Sequence, residues 1–99
     1  MTTHNQEEIN TGDTFYQGDI NISYKELKKF FGKPTEGDKF KIDAKWSIKV
    51  GDIVATIYNY KTGRNYLGKN GTPKTKIEHW HVGGFNKTAL DVVKDLIEF

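Results

Sequence analysis

Apolar positions along the chain switch between two spacings, and each switch marks an element. Over residues 40–50, "FKIDAKWSIKV", Phe40, Ile42, Ala44, Trp46, Ile48 and Val50 alternate with Lys41, Asp43, Lys45, Ser47 and Lys49. Successive side chains of a strand point to opposite faces, so this run predicts a half-buried strand with a basic outer face. Gly51 and Asp52 make a tight turn, and "IVATIYNY" returns as the antiparallel partner. "IEHWHV", residues 77–82, predicts a third strand of the same meander. Elsewhere the spacing becomes helical. In "SYKELKKFFGKP", Tyr24, Leu27, Phe30 and Phe31 share one face, Ser23 and Glu26 form a capping box, and Gly32 and Pro34 end the helix. After Gly83-Gly84, Thr88 and Asp91 suggest a second capping box, with Ala89, Leu90, Val93, Leu96 and Ile97 as an apolar stripe.

Two stretches follow neither spacing. Residues 1–10 hold little that can be buried and are expected to be a flexible tail. "TGDTFYQGDINI" offers two short strand-like pieces around Gly18 and Asp19, a weak hairpin signal. The expectation is one α+β domain over residues 11–99. It is an antiparallel β-meander of three to four strands with two amphipathic helices packed on one face. Between the second and third meander strands, Gly63, Gly71 and Pro73 break up residues 61–76, a connection long enough to suggest a functional loop.

Composition narrows the function classes. Of 99 residues, 35% are hydrophobic but 13% are aromatic, enough rings for a compact core, an oligomer interface or base stacking. A net charge of +2 is far from the dense positive field of a duplex DNA binder, while an anionic small ligand remains open. There is no cysteine, which excludes disulfides and thiolate metal sites. The N-terminus lacks the apolar core of a signal peptide, and no run approaches the roughly 20 apolar residues that span a bilayer. An intracellular protein without membrane contact is expected.

Catalytic signatures are missing. Ser23 reads as a helix cap and Ser47 as an outward strand residue, neither in a nucleophile elbow. Asp13, Asp19, Asp38, Asp43 and Asp52 fall mostly at turns, and "GKNGTPK" matches no phosphate-loop spacing. His79 and His81, two apart on a strand, share a face and suit a metal. The strand's own Glu78 lies on the opposite face, and His4 belongs to the tail. Without a third ligand, no metal and no cofactor are expected.

A binding site fits the inventory better. "YNYKTGRNYLGKNG" interleaves tyrosines with basic residues and amides. Tyr60 and Tyr66 can stack on bases, Asn59 and Asn65 can read base edges, and Lys61 and Arg64 can hold phosphate. A solvated hairpin tip would carry the same residues. His79 and His81 are then joined by Gly83 and Gly84, whose backbone before a helix start could approach an anion. A single-stranded nucleic-acid binder would need a longer basic track than this chain carries.

"FGKPTEGD", the alternating strand with Trp46, "VATIYNYKTG" and "HWHVGG" together resemble a family of small proteins encoded by phages and some large DNA viruses. The resemblance spans roughly residues 27–85. It is to the viral sponge proteins that inhibit CBASS, a bacterial defence driven by cyclic oligonucleotides. It implies a non-enzymatic protein of the host cell cytoplasm that sequesters cyclic dinucleotides such as 3′,3′-cyclic GMP-AMP. It also implies a homo-oligomer, a tetramer rather than a dimer, with ligand at or near subunit interfaces. The alternative is a small phage protein that blocks a host protein through its aromatic surface.

Overall fold

The computed structural model describes residues 2–4, 14–35, 42, 44–60 and 67–97. Its elements are β1 (Thr2–His4), β2 (Phe15–Asn21), α1 (Tyr24–Phe31), β3 (Lys45–Val50), β4 (Ile53–Tyr58), β5 (His79–Gly84) and α2 (Thr88–Ile97). The architecture is α+β, an antiparallel sheet in the order β1-β3-β4-β5-β2 with helices packed on it. The central β3-β4-β5 meander follows the expected chain order. The outer strands do not. β1 and β2 are consecutive in sequence but occupy opposite edges, against β3 and β5.

Alternation explains the layers. Trp46 and Ile48 of β3, Ala55 and Ile57 of β4, and Trp80 and Val82 of β5 form one cluster with Leu27 and Phe31 of α1 and Ala89, Leu90 and Val93 of α2. The two indoles meet edge to face at 5.3 Å. Trp80 Nε1 donates to Ile22 O just before α1 at 2.9 Å, and Trp46 Nε1 donates to Gly32 O just after it at 2.8 Å. Each indole thus buries its ring and satisfies its one donor. α1 begins as its sequence requires, with the Glu26 N–H donating to Ser23 Oγ at 3.1 Å, and ends at Gly32 with φ 81°.

Three expectations need correction. Thr2–His4, placed in a flexible tail, pairs antiparallel with β3, because an open strand edge accepts any extended backbone. Gly18-Asp19 is no hairpin turn but the interior of β2, where the register shifts between Tyr16 and Gly18. At α2, the Thr88 N–H is capped from Asn86, whose Oδ1 accepts it at 2.9 Å, two residues before the box read from Thr88. Within the long connection, Gly68–Asn70 and Lys74–Lys76 form short 3-10 turns.

Candidate binding site on the open sheet face

The sheet face turned away from the helices carries the polar half of each alternating strand. Register aligns these residues in rows. One row runs Lys45, Tyr58, His81 and Asp19 across β3, β4, β5 and β2, and the next runs Ser47, Thr56, Gly83 and Tyr16. With neighbouring strands about 4.8 Å apart, the first row spans about 14 Å. His79 and Asn21 pair beyond it.

A β-bulge at Gln17 creates the centre of this surface. In regular alternation, residues 16 and 19 would face opposite ways. The extra residue puts both on the open face, opposite Gly83 and His81 respectively. The Tyr16 hydroxyl then donates to Asp19 Oδ1 at 2.6 Å. His81 Nδ1 lies 3.3 Å from the same oxygen, and His79 Nε2 lies 3.0 Å from Asp19 Oδ2. On its other side, His79 Nδ1 lies 3.0 Å from Asn21 Oδ1. The Tyr16 hydroxyl, with the two histidines in support, holds the Asp19 carboxyl below the usual carboxylate range, although partial burial opposes this. The same hydrogen bond pushes the Tyr16 phenol up.

Aromatic rings surround His81. Tyr58 lies 5.6 Å away at 18°, while Tyr16 and Tyr60 approach edge-on at 5.2 Å and 6.1 Å. Burial, followed by the charge of Asp19 and the neighbouring Tyr60, raises the Tyr58 phenol. Beside His79 an open groove of about 520 Å³ is lined by Asn21, Thr72, Lys76, Ile77, Glu78 and His79. The surface therefore offers stacking rings, a carboxylate acceptor and imidazole nitrogens within one small area.

The expected site residues divide. Tyr60, His79 and His81 come together on the open face. Lys61, Arg64, Asn65 and Tyr66 lie outside the described residues. Asn59 faces the interior, fully buried, where its Oδ1 accepts the Ala44 N–H at 3.1 Å. It ties β4 to the chain entering β3 and presents no base-reading edge at the surface. Gly83 and Gly84 are buried inside β5. A Cβ on Gly83 would lie 2.6 Å from Thr56 Oγ1, and one on Gly84 would lie 2.2 Å from Ala89 Cβ. Close packing accounts for both glycines, and neither lies in a loop before α2. Tyr58, the first tyrosine of the candidate stretch, does join this face, whereas Tyr16, Asp19 and Asn21 were not singled out for a site on sequence grounds. Only the pairing of β2 with β5 brings those three there.

Set against known proteins, the chain matches no family model, no curated protein and no solved structure.

Proposed function

We propose that this protein binds a cyclic dinucleotide on the open sheet face and sequesters it without cleavage. The observation that carries this reading is the ring cluster of Tyr16, Tyr58 and Tyr60 around His81, beside the Asp19 carboxylate. Tyrosine and imidazole rings stack on bases of any identity. A carboxylate accepts from the N–H groups of a base edge, and guanine presents two adjacent donors on its pairing edge. Lys76 at the groove would hold phosphate, and Lys61 and Arg64, outside the described residues, are the further phosphate candidates from the sequence. The motifs that carry the family resemblance fall largely on the three central strands, two of which bear this surface.

In this reading the protein is a homo-oligomer acting in the host cytoplasm. Phe15 and Phe85 are 69% and 48% exposed, large apolar surfaces suited to a subunit contact. They equally favour the second reading, in which a host protein covers them. No helix among the described residues is long and apolar enough to cross a membrane.

Thermal melts against a panel of cyclic nucleotides separate the two readings. A ligand at about 100-fold over its Kd adds about 2.7 kcal/mol, which shifts the Tm of a chain this size by about 10 °C or more. A uniformly flat panel overturns the nucleotide reading. Light scattering should report a dimer or tetramer, and a monomer of 11.3 kDa would remove the interface model.

A further inference from the structure

We propose that Asp19, His79 and His81 form a binding site for a divalent late first-row metal ion, with zinc as the best-suited occupant. The site shares Asp19 and His81 with the proposed nucleotide surface but rests on the donor geometry alone. One donor atom from each of these residues lies within 4.8 Å of the others. Imidazole and carboxylate donors bind zinc at about 2.0–2.2 Å, which puts neighbouring ligand atoms of a tetrahedral ion about 3.4 Å apart. His79 Nε2 approaches Asp19 Oδ2 at 3.0 Å and His81 Nδ1 approaches Asp19 Oδ1 at 3.3 Å, each close to that spacing.

Three further features fit a metal site. The donors stand on paired strands in fixed register, Asp19 opposite His81 and Asn21 opposite His79, so a rigid sheet holds them. The Asn21 side chain occupies the Nδ1 edge of His79 and turns Nε2 toward Asp19, the outer-shell arrangement that orients metal-bound imidazoles. The Tyr16 hydroxyl does the same for the carboxylate. Three protein donors leave at least one coordination position for water or an exogenous oxygen. Two histidines and one carboxylate with borderline character favour zinc over magnesium or calcium, which prefer all-oxygen sites.

His4 cannot complete the set. Its strand lies at the far edge of the sheet, three strands from β5 and about 14 Å away by strand spacing.

The test is calorimetric titration of ZnCl2 into the chelator-stripped full-length protein, with MgCl2 as the control. One zinc per chain is expected, with a higher Tm and no response to magnesium. His79→Gln, at a half-exposed position that leaves the core untouched, should weaken zinc binding at least tenfold. Asp19→Asn should do the same, and Asn21→Ala should weaken it less. His4→Ala should bind as wild type. Cobalt(II) should give the intense visible absorption of a four-coordinate site in the wild type and lose it in His79→Gln. Absence of saturable zinc binding overturns the proposal. So does zinc binding that survives both His79→Gln and Asp19→Asn.

Discussion

Tyr58 stacks on His81 with ring centroids 5.6 Å apart and planes inclined by 18°. The two sit opposite each other on β4 and β5, so the contact follows from sheet register. Cross-strand aromatic pairs contribute roughly 0.2–1 kcal/mol relative to alanine pairs. This pair therefore stiffens the open face at little expense and leaves its outer ring surface available to a ligand.

Removing the flanking ring should affect binding and leave folding almost intact. Tyr60 is 39% exposed and meets His81 only edge-on. Tyr60→Ala is expected to weaken cyclic dinucleotide binding by roughly 1–3 kcal/mol, the range for a lost base stack. Arg64→Ala should lose roughly 1.5–3 kcal/mol if it pairs with phosphate. Calorimetry on both variants checks this; wild-type affinity in both would move the site elsewhere.

Trp46→Ala should act on stability alone. The ring is fully buried against Trp80, and its indole N–H bonds Gly32 O at the end of α1. A loss of about 3–5 kcal/mol is expected, enough to unfold a small domain. Circular dichroism would show it as an early or absent melt.

Gly84→Ala tests the packing account of the glycine pair. Its new Cβ would sit 2.2 Å from Ala89 Cβ, and neither partner is a flexible side-chain end. Overpacking of this kind costs about 1–3 kcal/mol. Ala89→Gly in the same chain should recover part of the loss despite the helix penalty of glycine, and a double-mutant cycle measures the coupling. Zero coupling would reject the clash.

Alkaline pH should weaken the fold partly through Tyr58. Burial raises its phenol above the ordinary value, so the unfolded chain releases that proton first. The stabilisation is fully present below about pH 10 and is lost as pH rises through the folded value. Urea midpoints measured across this range should fall more steeply for wild type than for Tyr58→Phe. Parallel curves would discount the burial.

The protein should return a cyclic dinucleotide intact after incubation, whether loaded with zinc or stripped of it. A linear dinucleotide or mononucleotide on chromatography would make it a phosphodiesterase.

Much of this architecture was legible because alternation survives in β3 and at the start of β5. Trp46 and Trp80 could be placed in the core, and His79 and His81 on the other face, by counting, whereas the four central residues of β4 are all buried and show no such period. β2 defeated the same counting. The bulge breaks its period at Gln17, so Asp19 read as a turn residue, and nothing local says that β2 pairs with β5. That pairing joins residues about sixty positions apart, and it brings the Asp19 carboxylate to the two histidines. Asn59 misled for a different reason. An amide suits a base edge or a buried backbone N–H equally well, and only burial separates the two.

The strict alternation of His79, Trp80 and His81 also limits how this protein can evolve. Because the odd positions face the open side of the sheet and Trp80 faces the core, residues 79 and 81 can change by point substitution without disturbing the fold. Changes in length are another matter. A single inserted or deleted residue in β5 would turn both histidines inward and expel the indole. Substitutions at residues 79 and 81 should therefore alter the open face and spare the fold, while the number of residues in that strand stays fixed.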